Sequence, residues 1–173
     1  AGYDGINGII QRTRGAVSYS NWANADFTEL YTTANTLYTS LANSGFAEGD
    51  SGTTGGIYGY NAFSNIYDAT INAHTQLGVI YVDGGTYTEN VHVHASVTLT
   101  GEFTIDGTLL FSNTGTLSPG NSPGIINTGD LEMASGSTLE IEIQGTAVGT
   151  EYDQVNISGT VDIDGVILDT SLG

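Results

Sequence analysis

The chain has 173 residues, enough for one domain of ordinary size or for a compact cap on a repetitive body, and too few for a two-domain enzyme. Two Lys+Arg against 19 Asp+Glu give a formal net charge of -17, with Arg12 and Arg14 as the only formal cations, which excludes a polyanion such as nucleic acid as a ligand. At 39% hydrophobic and 12% charged the chain is too apolar for a disordered acidic tail; no apolar run approaches the roughly 18 residues of a membrane span, and the absence of cysteine removes disulfides, thiolate zinc sites and thiol nucleophiles.

Residues 1 to 20 scatter Gly2, Gly5, Gly8 and Gly15 among Ile and Tyr and hold no sustained period, so they read as irregular or as short strands. From Asn24 the apolar residues Phe27, Leu30, Tyr31, Ala34, Leu37, Tyr38 and Leu41 fall on one helical stripe, with Asn24 as cap, Asp26 at the positive end of the dipole and Gly45 as terminator. Gly45 to Gly59 reads as a glycine-rich loop; without lysine it is not a phosphate loop. A second helix is predicted over Asn61 to Leu77, with Phe63, Ile66, Tyr67, Thr70, Ile71, His74 and Leu77 on its inner face and Gly78 as stop.

From Val79 the period becomes 2: Val79 to Val82, then Val91 and Val93, Val97 and Leu99, Phe103 and Ile105, Leu109 and Phe111. Glycines, among them Gly107 and Gly129, divide this half into strands expected to be about four to seven residues long. The pattern fits a mainly β fold, a short parallel β-helix with an N-terminal helical cap, divided into a cap region over 1–78 and rungs over 79–173. Polarity carried by Gly, Thr, Ser and Asn is typical of exported bacterial surface proteins. The last residues still read as strand: Val155, Ile157, Val161, Ile163, Val166 and Leu168 continue the alternation with no closing element, so the chain is expected to be a piece of something longer or to dock its open end on another subunit.

Two stretches carry a family likeness. Residues 60–101, with their helix, strand, G-T-Y-T-E-N-V and second strand ending in Gly, resemble the opening of right-handed parallel β-helix proteins of the pectin methylesterase and pectate lyase type. Residues 115–131, G-T-L-S-P-G-N-S-P-G-I-I-N-T-G-D-L, with 152–165, Y-D-Q-V-N-I-S-G-T-V-D-I-D-G, resemble β-strand-repeat segments of large exported bacterial proteins, including autotransporter passengers. The first resemblance implies the architecture; the aspartate pair and arginine of the methylesterases lie in Q-D-T-L and G-R-P-W motifs that have no counterpart here, and no Lys or Arg follows Arg14 to serve a lyase. The second implies a β-helical stalk.

No residue is expected to serve catalysis, a cofactor or a metal. Glu89 shares parity with Tyr87, Val91 and Val93, which would turn a carboxylate inward; a turn that breaks the parity, or backbone N–H donors, makes it a structural acceptor. His92 and His94 share one side of a strand and read as solvated imidazoles, since a metal would need a third ligand; His74 reads as a packing residue on the inner stripe of the second helix. Asp162 and Asp164 project outward, and Asp130 and Asp153 sit near glycine turns. All four read as solvated carboxylates, although oxygen ligands at turns could hold calcium. Tyr31, Tyr38 and Tyr67 count as core, which leaves Tyr3, Tyr19, Trp22, Tyr58 and Tyr60 for a weak glycan groove. The expectation is a non-catalytic stalk, adhesin or filament subunit of a bacterial cell surface or extracellular space, partnered by itself, by other surface proteins or by glycans. A carbohydrate-binding or carbohydrate-active β-helix is the alternative.

Overall fold

The computed structural model describes residues 36–40, 44, 62–73, 78–94, 96–120 and 123–172, together with the pairs 2–3, 10–11, 22–23 and 30–31. The chain divides into two compact units, 1–34 and 35–173. In the first, β1 (Gly2–Tyr3) pairs antiparallel with β2 (Ile10–Gln11), and β3 (Trp22–Ala23) with β4 (Leu30–Tyr31).

The second unit is mainly β. It opens with β5 (Thr36–Thr39) and β6 (Ala62–Phe63), followed by α1 (Ile66–Asn72), β7 (Gly78–Val82), β8 (Thr86–Tyr87) and β9 (Val91–Val93). Then come β10 (Val97–Gly101), β11 (Phe103–Phe111), β12 (Thr116–Pro119), β13 (Ile125–Met133), β14 (Thr138–Ile143), β15 (Gln154–Ile157), β16 (Val161–Asp162) and β17 (Ile167–Leu172). One seven-stranded sheet has the order β17-β14-β12-β10-β7-β5-β6, and every pair in it is parallel. The other runs β15-β13-β11-β8, with β16 beside β13 and β9 beside β11, again all parallel. From β7 onward the chain visits the two sheets alternately, and each sheet grows by parallel addition of strands.

Parallel stacking places equivalent residues in columns. Ile80, Leu99, Leu117, Leu139 and Leu168 lie in register in the first sheet, and Val91, Leu109, Leu131 and Val161 in the second. These columns form the core between the sheets: the inward residues read from the alternation at Ile80, Val82, Val91, Val93, Val97, Leu99, Phe103, Ile105, Leu109 and Phe111 are all buried. Val79 and Tyr81 face outward, as parity requires.

Three local expectations are corrected. Where a helix was expected from Asn24 to Gly45, the described residues Leu30–Tyr31 and Thr36–Thr39 are strands, and the rest of that span lies outside the described residues. Thr-Leu-Tyr-Thr suits a pleated surface, and β7 and β6 supply parallel partners on both sides of it, so pairing outweighs the helical spacing. The second helix is confined to Ile66–Asn72 and presents Ile66, Ala69, Thr70 and Ala73 to the core, leaving Tyr67 40% and Ile71 50% exposed. Alanines let the helix approach closely, which rotates the buried stripe away from its bulkier residues. Finally, Gly107 and Gly129 do not end strands: β11 and β13 each continue through them for nine residues, with a register shift between Ile105 and Thr108. A side chain at Gly129 would meet the Gly107 carbonyl oxygen at 2.6 Å, and one at Gly107 would strike the Glu89 backbone, so glycine permits the layers to approach at this corner.

Candidate functional site

The conspicuous side chains lie on the corners and outer faces of the stack. Glu89 follows the buried Tyr87 in a turn and precedes the buried Val91. Its carboxylate leaves the core and accepts hydrogen bonds from the backbone N–H groups of Ile66 (2.8 Å) and Tyr67 (2.9 Å), while Asn65 Oδ1 accepts from Asp68 N–H at 2.7 Å. Two side chains thus satisfy the first free donors of α1, and Glu89 is a structural acceptor on backbone N–H groups, its inward parity broken by the turn. The adjacent Asn90 Oδ1 accepts from Thr108 N–H in the next layer at 2.9 Å. Asp130 repeats this arrangement two layers further on: its Oδ1 accepts from Thr160 N–H (2.7 Å) and the Thr160 hydroxyl (2.8 Å), which holds its carboxyl below the usual range.

Asp153 is the clearest departure from the expected solvated carboxylates. It is only 7% exposed, with Oδ1 accepting from Gly124 N–H at 2.7 Å and Oδ2 from Glu142 N–H at 2.8 Å, so it fastens the entry of β13 to β14. Glu151 Oε2 accepts from Thr146 and Ala147 N–H groups and is likewise held below the usual carboxylate range by those two donors, the Ala147 one first. Asp162 and Asp164 do stand on the exposed surface. Glu89, Asp130, Glu151 and Asp153 thus serve the backbone of neighbouring turns.

His92 and His94 share the outward side of β9, with ring centroids 3.6 Å apart and planes tilted by 40°. The expected solvated pair is corrected at His92, whose Nε2 is buried without a hydrogen-bond partner. Burial, then the neighbouring His94, lower its pKa, while Glu132, two strands away in the same column, opposes them. Among the described residues no three His, Asp or Glu side chains are grouped to hold a metal ion. His74 lies outside the described residues, as do the side chains of Tyr3, Tyr19, Trp22, Tyr31, Tyr38, Tyr58 and Tyr60.

These shifts set an acid response whose sign is fixed. Asp130 and Glu151 have folded pKa values below their unfolded ones, so their stabilisation is present above about pH 4 and is lost as pH falls through the lowered values. His92 also binds its proton less readily when folded; its contribution is present above its unfolded pKa of about 6.5 and is lost as pH falls through the folded value. Thermal melts across this range are expected to show a first decline below about pH 6.5 that His92→Gln removes, followed by a steeper one in the carboxylate range. A profile flat down to the carboxylate range would refute the role given to His92.

One polar column escaped the sequence reading. Asn156 Nδ2 donates to Asn127 Oδ1 at 2.9 Å, and Asn127 Nδ2 donates to Thr104 Oγ1 at 3.2 Å, so three successive layers are joined on the outer face of the second sheet. The available signal is that both asparagines directly follow aliphatic residues, Ile126 and Val155, that are themselves in register. Beside this column runs a shallow groove lined by Gly84, Thr86, Glu102, Thr104, Ile125 and Asn127.

The apolar columns end uncovered at the last layer. Leu168 is 63% and Val161 55% exposed, against 0% for Leu99 and 0% for Leu109 in the same columns, and Ile163 and Leu172 are exposed beside them. No family model, curated protein or solved structure matches this chain.

Proposed function

We propose that the chain is a non-catalytic structural module of a bacterial cell-surface or extracellular protein, built as a right-handed parallel β-helix with α1 lying over its first layers. The observation that carries this reading is the columnar register. Chemically equivalent residues repeat along the stack, aliphatic inside and Asn or Thr outside, and the carboxylates of Glu89, Asp130, Glu151 and Asp153 each accept from backbone N–H groups, Glu89 and Asp153 through both oxygens. A catalytic carboxylate needs a free oxygen directed at substrate, and for proton abstraction from a sugar a basic partner as well; the sequence after Arg14 holds no Lys or Arg. Incubation with pectins and other acidic glycans is expected to give no cleavage and no ester loss. Either product would overturn the structural reading.

The groove beside the Asn127 column favours carbohydrate binding as a second reading, because Glu102, Thr104 and Asn127 offer acceptors and donors along one shallow track. Glycan binding that Asn127→Ala abolishes, without turnover, would select it.

A further inference from the structure

Helix α1 lies against β9 and is fastened there through one short segment, residues 89–92. Glu89 accepts from the Ile66 and Tyr67 N–H groups at the start of the helix, and Thr70, which is buried, donates its hydroxyl to His92 O at 3.1 Å. Strand alternation accounts for the second contact. Val93 O accepts from Ser112 N–H, so Val91 and Val93 turn their backbone groups to β11 and His92 turns its own to α1.

The residue that holds the helix also carries the buried, unpartnered ring nitrogen. His92 Nε2 has no hydrogen-bond partner, and the His94 ring lies against the His92 ring with centroids 3.6 Å apart. A neutral imidazole can leave Nε2 as a bare acceptor. An imidazolium cannot, because its second N–H would be a buried charged donor beside a ring that gains charge over the same range.

We infer that β9 and α1 form a proton-operated clasp: proton uptake by the His92–His94 pair turns the His92 ring to water and releases α1 from β9 while the strand layers stay paired. The ladder through Val91, His92 and Val93 keeps β9 on β11, so the Thr70 contact yields first. With only seven residues, α1 has no stability of its own once it leaves the strand. The titratable groups around His92 are His94 on its own strand, Glu132 and then Asp162 in its column, Tyr67 and Asp68 on α1, and Glu89 in the turn; β11 places Leu110 at this level. Glu132 favours the proton, but burial and His94 outweigh it and hold the imidazole below its ordinary value. The released state therefore binds the proton more readily. Docking is favoured above about pH 6.5 and is lost as pH falls through the lowered folded value.

Histidines are the side chains that ordinarily change charge between about pH 8 and pH 5, which makes hydrogen exchange across that range a direct test. Exchange of the α1 amides, corrected for the intrinsic effect of pH, is expected to accelerate by up to about tenfold per pH unit below about pH 6.5, the slope of one linked proton. This opening should depend only weakly on denaturant, unlike the opening of β10 to β12, because the layers remain paired. His92→Gln is expected to abolish the slope, and His74→Gln, which removes the third histidine of the chain, to keep it. Should His92→Gln fail to fold, nuclear magnetic resonance titration of the His92 ring in the unmodified protein still decides, with a midpoint expected below about pH 6.5. A slope absent from α1, α1 exchange with the denaturant dependence of β10 to β12, a slope lost in His74→Gln, or a His92 midpoint at or above its ordinary value would each overturn the inference.

Discussion

Leu99→Ala is expected to lower stability by about 2–5 kcal/mol, the range for truncating a buried leucine in a packed core. Leu168→Ala, in the same column, is expected to change the stability of the isolated chain by no more than about 0.5 kcal/mol, as for an exposed site. The two positions share residue type, strand parity and register; they differ in having layers on both sides or on one. Leu99 is 0% exposed between Ile80 and Leu117, and its removal leaves a void that the neighbouring layers cannot close without breaking their own pairing. Leu168 is covered from the Leu139 side alone. Chemical denaturation at low protein concentration measures both. Equal losses at the two sites would mean that the last layer is covered in solution.

The second large effect is expected at Asp153. Removing its carboxylate in Asp153→Ala strands the Gly124 and Glu142 N–H groups, and with about 1.5–3 kcal/mol for each hydrogen bond to a charged group the loss is expected to reach about 3 kcal/mol or more. Asp153→Asn should recover only part of this, because the amide nitrogen is a donor and cannot accept from either N–H. The loss should also be local at first: hydrogen exchange is expected to accelerate at Gly124 and Glu142 before the layers β10 to β12 are affected. An alanine variant as stable as the parent would show that water replaces the carboxylate there.

Much of the β half was legible because a two-residue period is a direct record of which side of a strand is buried. Each inward residue from Ile80 to Phe111 follows from that alternation; Glu89 has the inward parity and breaks it, because an unpaired carboxylate cannot remain in the core. The first helix was not legible in the same way. Leu37 and Tyr38 fit both a helical stripe and a strand, and the choice depended on β6 and β7, which lie far along the chain. The same limit applied to Tyr67 and Ile71: spacing identifies a helical face, while the neighbour decides which flank of it is buried.

The site residues divide along the same line. Composition, charge, the missing cysteines and the lack of a cation after Arg14 come from the residues alone, as do the alternation and the parity of Leu168 with the inner set. Only the tertiary structure decided that Asp153 is buried on two amides, that Asn127 and Asn156 form one column, and that Gly107 and Gly129 let strands bend without ending. Alternation is a property of neighbours in sequence, whereas register is a property of neighbours in space. In a parallel stack each residue meets the one a whole circuit away, and because successive circuits differ in length no fixed sequence spacing reveals which residues those are.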